Sequence, residues 1–197
     1  MNLANNLTFS RIVLAFVFIL FIHQPGVVAA IIATLIFIIA SLTDYFDGYV
    51  ARKYGLENDF GKLMDPIADK FLVLSAFIVF VQMHIIADWM MMIILAREIF
   101  ITGLRIFALT KKRVIAAEKA GKHKTVSQIV AIFVILGFII FQRSAVALSG
   151  WTSTVELWWT VGINVTMVVT VALTLISGFS YIWNNRNLIH VAGEHDR

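Results

Sequence analysis

An all-α, polytopic membrane fold is what this sequence predicts: six transmembrane helices preceded by a short N-terminal interfacial helix, both termini cytoplasmic. Three observations carry the expectation. Of 197 residues, 60% are hydrophobic and 14% charged, against about 25% charged in soluble domains, and the mean hydropathy is +0.87. The apolar residues fall into six runs, each sufficient for a crossing of about 20 residues once its flanking turns are counted. Only two prolines occur, Pro25 and Pro66, as suits a helical chain. One membrane domain over residues 1–197 accounts for this pattern.

Residues 1–10 are short and polar and fit an interfacial helix. Residues 11–22 are the first apolar run, closed by a turn at His23, Gln24, Pro25 and Gly26. Arg11, this run and the Ala29-Ala30 pair also mimic a signal peptide with a cleavage site, which would shorten the second span. Residues 27–43 are the second run and continue without a break signal, so one long helix is expected over 27–52. A short connection at 53–58 leads to a third helix over 59–83, with Pro66 in its early turns. The fourth span is expected over 89–109, the fifth over 125–141 and the sixth over 157–183, with a more polar link at 142–156 and a tail from 184.

Charge distribution orients these helices. Arg11, Arg52, Lys53, Lys62, Lys70, the basic loop from Lys111 to Lys124, Arg186 and Arg197 fall on one side. The other side has Arg143 with His23 and His84. The positive-inside rule makes the first side cytoplasmic. The net charge of +4 is small, and anionic headgroups explain the basic loops, so no nucleic-acid partner is expected. There is no cysteine, which excludes disulfides, thiolate ligands, cysteine nucleophiles and thiol lipid anchors.

The stretch from Asp44 to Lys70 carries the chemistry. Asp44 and Asp47 are spaced i, i+3, and Asp65 and Asp69 i, i+4. On helices each pair shares a face, with Cβ atoms about 5–6 Å apart. Two such carboxylates repel by roughly 3 kcal/mol at an effective dielectric of ~20. An apolar chain does not gather four anions without a counter-charge, and hard divalent cations prefer oxygen ligands. Asp44, Gly48 and Ala51 share one face, a smooth floor suited to a nucleotide diphosphate. With the second and third helices side by side, the four aspartates would meet at the cytoplasmic surface, where two metals can clamp a phosphoryl group.

These residues resemble a known family. The pattern D-x2-D-G-x2-A-R-x8-G-x3-D-x3-D stands in full as Asp44, Asp47, Gly48, Ala51, Arg52, Gly61, Asp65 and Asp69. It is the signature of the CDP-alcohol phosphatidyltransferases. The resemblance implies Mg²⁺ or Mn²⁺, two ions being expected, held by Asp44, Asp47 and Asp65, with Asp69 as the base and a further possible ligand. It implies CDP-diacylglycerol as donor, with Gly48, Ala51, Arg52 and Gly61 lining the CDP pocket and CMP as leaving group. An N-terminal NxLTxxR, here Asn5, Leu7, Thr8 and Arg11, looks like the segment that meets the donor diphosphate. Ala4 stands where relatives often have proline. The family also implies a homodimer among membrane lipids.

Two further clusters bear on the acceptor. Glu98, Thr102 and Arg105 fall at i, i+4 and i+7, with Arg97 flanking, and charges within a span default to functional readings. An ion pair of Glu98 with Arg97 or Arg105 is the structural alternative. The second cluster is Gly121, Lys122, His123, Lys124 and Thr125. Arg97, Arg105, Lys122 and Lys124 could together bind a dianionic phosphate, which choline or serine as acceptor would not need. His123 reads as a neutral neighbour of the lysines. Both clusters resemble those of the family's glycerol-phosphate branch, so glycerol 3-phosphate is the expected acceptor. Inositol phosphate and phosphatidylglycerol remain alternatives with the same chemistry. A divalent-cation transporter would need polar ligands along several spans, and the first, fifth and sixth runs read as offering little polarity at depth. A catalytically dead scaffold would not need all eight signature positions.

Overall fold

A computed structural model describes residues 3–54, 59–110, 119–147 and 150–186, with side chains for 10–43, 70–108, 121–146 and 150–186. These residues form six helices and no strand: α1 (Leu3–His23), α2 (Val27–Tyr54), α3 (Asp59–Gln82), α4 (Asp88–Thr110), α5 (Lys119–Ala147) and α6 (Ser153–Asn184). The expected interfacial helix is not separate. No glycine or proline interrupts residues 3–22, so the polar N-terminal residues are simply the first turns of α1. Helix α5 starts before Lys122 and runs on to Ala147, and α6 begins after the cap at Thr152, whose hydroxyl accepts from Val155 N–H. The link expected over 142–156 therefore shrinks to a few residues. Pro66 is the eighth residue of α3, beyond its first turn, so the helix continues past the i→i−4 bond that a proline cannot make.

The chain reverses between α1 and α2 at Gly26, whose φ of 95° only glycine adopts without strain. Helix α1 packs on α2 and α3, α5 on α6, α2 and α3, and α4 on α6 and α3. Phe18 meets Phe37 across α1 and α2 with ring centroids 5.7 Å apart, and Phe16 meets Phe71 across α1 and α3 at 5.8 Å. His23 Nε2 lies 3.2 Å from Gln82 Oε1. The pairs 16 with 71 and 23 with 82 make α1 and α3 parallel, and therefore α2 and α3 antiparallel.

Phe18, Phe37, Phe77, Phe80, Ile94, Ile132 and Leu136 are fully buried between the helices. Every helix also exposes large apolar side chains, among them Leu20, Val28, Ile78, Met92, Val126 and Trp158. Soluble monomers avoid an apolar exterior of this extent. Among the described residues, Gly121–Val146 and Ser153–Asn184 are long and apolar enough to cross a membrane, and Ser10–His23, Val27–Thr43 and Lys70–Gln82 are shorter apolar stretches.

Arg143 closes one end of the bundle. Its guanidinium donates to the carbonyls of Ile22 (2.7 Å), Gln24 (2.8 Å) and Gly26 (3.2 Å). It thereby serves carbonyls that the end of α1 leaves without helical partners.

Candidate active site

The signature aspartates sit on two helices joined by a short connection. Asp44 lies ten residues before the end of α2, and Asp69 ten residues after the start of α3. Asp47 and Asp65 lie seven and six residues from the same ends. At 1.5 Å per residue both outer positions are about 15 Å from the connection, and both inner ones about 10 Å. Four linking residues span at most about 18 Å. Antiparallel helices so joined carry the four positions at matching depths. The side chains of Asp44, Asp47, Gly48, Ala51, Arg52, Gly61, Asp65 and Asp69 lie outside the described residues, as do those of Asn5 and Thr8. Among the described residues no group of three or more His, Cys, Asp or Glu could hold a metal.

A cavity of about 280 Å³ opens beside these positions. Its wall includes Arg11 from α1, Ser41 from α2, Lys70 from α3, Glu98 from α4, and Lys124 and Gln128 from α5. Ser41 is one turn before Asp44, and Lys70 directly follows Asp69. Arg11 is only 4% exposed, so its charge is directed into the protein rather than to the surface. Gln128 is also buried, and its Nε2 has no hydrogen-bond partner among the described residues. A buried donor left in this state is costly unless a ligand or water meets it.

A second cavity, about 620 Å³, adjoins the first. Arg97, Arg105, Lys122 and Lys124, the four residues expected to bind an acceptor phosphate, all line it, together with Lys70, Ser177 and Tyr181. Arg97 reaches it from deep in α4 because its guanidinium extends to α6, where Nη2 donates to Ser177 Oγ at 2.8 Å. Five cationic side chains against the single carboxylate of Glu98 leave a formal excess of four positive charges among the described lining. Arg97 Nε and Tyr181 Oη are buried without hydrogen-bond partners among the described residues.

Glu98 joins the two cavities. It is 3% exposed. Lys124 Nζ donates to its Oε1, Arg97 Nη1 lies 3.3 Å from the same oxygen, and Lys70 Nζ lies 3.2 Å from Oε2. Lys70 also donates to the Thr102 hydroxyl, which in turn donates to the Glu98 carbonyl at 2.7 Å. The ion pair with Arg97 that the sequence admitted is present, within a larger cluster.

Three features escaped the sequence reading. In the sequence Lys70 reads only as a cytoplasmic-side charge. Helices α1, α5 and α6 are not poor in buried polarity: Arg11, Lys124, Gln128, Thr170, Thr174 and Ser177 are all buried. The spacing of Thr170, Thr174, Ser177 and Tyr181 marks one face of α6, a pattern visible in the sequence. Thr170 and Thr174 direct their hydroxyls to the carbonyls one turn earlier, at 2.9 and 2.7 Å, and that of Thr170 also reaches the Ser127 carbonyl of α5 at 3.3 Å, so this stripe is not a row of free ligands.

Comparison with known proteins shows the family. The family model described as CDP-alcohol phosphatidyltransferase matches residues 1–176. The CDP-diacylglycerol–glycerol-3-phosphate 3-phosphatidyltransferase of Bacillus subtilis (strain 168) is 40% identical over 147 residues, covering 68% of this chain and 76% of the relative. The protein of the same name from Rickettsia typhi is 34% identical over 180 residues, covering 91% and 94%. That from Cereibacter sphaeroides is 36% identical over 158 residues, covering 77% and 71%. Matched over most of its length by the family model and by these relatives, the chain belongs to the CDP-alcohol phosphatidyltransferase family.

Proposed function

We propose that the protein transfers the phosphatidyl group of CDP-diacylglycerol to glycerol 3-phosphate, giving phosphatidylglycerophosphate and CMP. The observation that carries this reading is the larger cavity, where Arg97, Arg105, Lys122 and Lys124 assemble beside the aspartate-bearing helices. A phosphate monoester is the acceptor group that such an excess of cations suits. Glycerol 3-phosphate supplies it together with a hydroxyl short enough to reach the neighbouring cavity.

The donor diphosphate belongs at the ends of α2 and α3, with Asn5, Thr8 and Arg11 from α1 and with Gly48, Ala51, Arg52 and Gly61 along the nucleotide. Four carboxylates at matching depths are a hard-oxygen donor set that fits Mg²⁺ or Mn²⁺, with Asp44, Asp47, Asp65 and Asp69 as the ligands. Bound there, the metal supplies neutralisation of the charge on the phosphoryl group. The lysines and arginines hold the acceptor phosphate and so fix the hydroxyl, since phosphoryl transfer asks a protein chiefly for positioning and electrostatics. Asp69 takes the hydroxyl proton. The acceptor oxygen bonds to the phosphorus that bears diacylglycerol, the bond from that phosphorus to the CMP oxygen breaks, and CMP leaves with the electron pair.

In this reading all six helices cross the bilayer, and the aspartate end and both termini face the cytoplasm, the source of glycerol 3-phosphate. The lipid tails of the donor lie between helices, against membrane lipids. The active protein is a homodimer. Inositol phosphate is the closest competing acceptor because it carries the same monoester; phosphatidylglycerol lacks it. The transporter alternative loses support from Thr170 and Thr174 of α6, whose hydroxyls are taken up by carbonyls of α6 and α5 and line neither cavity. Labelled glycerol 3-phosphate offered to purified protein with CDP-diacylglycerol and Mg²⁺ tests the proposal. The label should enter lipid, stop on chelation and return with metal; label remaining in the aqueous phase throughout would refute it.

A further inference from the structure

Glu98 brings three helices together at one carboxylate. Lys70 comes from α3, Arg97 from α4 itself and Lys124 from α5. Lys70, Glu98 and Lys124 line both cavities, so this cluster is the wall between the place of the donor and the place of the acceptor.

The three cations are not equivalent. An ammonium has three N–H donors. Lys70 gives two of its own to the Thr102 hydroxyl and, at 3.4 Å, to the Glu98 carbonyl, and it stands 3.2 Å from Glu98 Oε2 as an ion pair, that oxygen being buried without a hydrogen-bond partner among the described residues. Lys70 is thus committed to the α3–α4 contact and fixes the carboxylate in place. Lys124 gives one donor to Glu98 Oε1, and its side chain lines both cavities. Arg97 gives Nη1 to Glu98 and Nη2 to Ser177, while its Nε lacks a partner among the described residues. Lysine and arginine are long and rotamer-rich, and like charges push them apart. A carboxylate between them offsets that repulsion and fixes both directions. A monoanion among three cations still leaves the wall positive, so it can orient the cations without cancelling their pull on a dianion.

We propose that Glu98, itself held by Lys70 and Thr102, is a positioning residue for the acceptor: it aims Lys124 and Arg97 at the acceptor phosphate and thereby sets the acceptor hydroxyl at the boundary between the cavities. This rests on the acceptor reading given above. In this proposal Glu98 acts through the two cations it contacts and not on the reacting atoms.

The test compares Glu98→Gln and Thr102→Val with the wild-type protein, following CMP release while each substrate is varied, with inorganic phosphate as a competitor against glycerol 3-phosphate. Glu98→Gln keeps the volume and one acceptor oxygen but removes the charge. Its KM for glycerol 3-phosphate should rise about tenfold or more, the loss expected for charge-assisted contacts. The inhibition constant of inorganic phosphate should rise in parallel, with the KM for CDP-diacylglycerol within about twofold of wild type. Thr102→Val removes one partner of Lys70 and should shift the acceptor KM in the same direction, about threefold. Equal shifts in both KM values, or a fall in kcat alone, would overturn the inference. Should Glu98→Gln not be recovered folded, Thr102→Val decides, and an unchanged acceptor KM there would also overturn it. Wild-type protein that releases no CMP with glycerol 3-phosphate would instead remove the reaction on which the inference rests.

Discussion

Gly178 of α6 lies directly against Arg97 of α4. A Cβ at position 178 would stand 3.2 Å from Arg97 Cγ and 3.8 Å from its Nε. The neighbouring Ser177 accepts from the same guanidinium at 2.8 Å. Helix α6 thus seats the deepest cation of the larger cavity through one bare backbone position and one hydroxyl.

Gly178→Ala should therefore separate stability from function. Alanine favours the helix by up to about 1 kcal/mol, so thermal unfolding in detergent should be unchanged or slightly later. The added methyl pushes on Arg97, and the KM for glycerol 3-phosphate should rise about threefold to tenfold. Paired unfolding and kinetic measurements on the one variant check both halves.

Arg105 lines the larger cavity and, among the described residues, no part of the smaller one. Arg105→Ala should raise the requirement for glycerol 3-phosphate by about ten- to a hundredfold, the equivalent of one hydrogen bond to a charged group. The requirement for CDP-diacylglycerol should move far less. Equal effects on both would count against placing Arg105 with the acceptor.

Asp69→Asn keeps the size of the side chain and removes its basicity. Turnover should fall by at least about a hundredfold, the usual contribution of a general base. Binding of CDP-diacylglycerol, followed by calorimetry in the presence of Mg²⁺, should remain measurable. Normal turnover by this variant would exclude Asp69 as the base.

Arg143 lies at the other end of the bundle and offers a purely structural comparison. Its three hydrogen bonds hold the turn between α1 and α2. Arg143→Ala should destabilise the protein by about 1–3 kcal/mol and leave both KM values unchanged. A selective change in either KM would mean that the turn communicates with the site.

The helices and most of their limits were legible because apolar runs, two prolines and the turn at Gly26 leave few ways to cut the chain. The ends of α5 were not, since polar residues such as Arg143 and Ser144 continue a helix as readily as they end one. The acceptor cavity was legible in part. Arg97 and Arg105 stand out because charge within an apolar run demands a reason, and Lys122 and Lys124 because they lie where the fifth helix enters the bundle. Lys70 does not, because the positive-inside rule explains it without further structure. Its role depends on α3 lying against α4, a relationship no local spacing encodes. The hub at Glu98 was equally hidden: the sequence offers it Arg97 and Arg105 as neighbours on its own helix, whereas the structure adds Lys70 and Lys124 from 28 and 26 residues away.

The central claim is that the cation-lined cavity exists to hold a phosphorylated acceptor beside the lipid-borne diphosphate. Glycerol shares the hydroxyls of glycerol 3-phosphate and lacks only the phosphate. The most direct measurement is CMP release from CDP-diacylglycerol by the purified protein, with Mg²⁺ and equal concentrations of one or the other alcohol. The account predicts release with glycerol 3-phosphate and at least a hundredfold less with glycerol, a difference of about 2.7 kcal/mol. Comparable release with the two alcohols would contradict it.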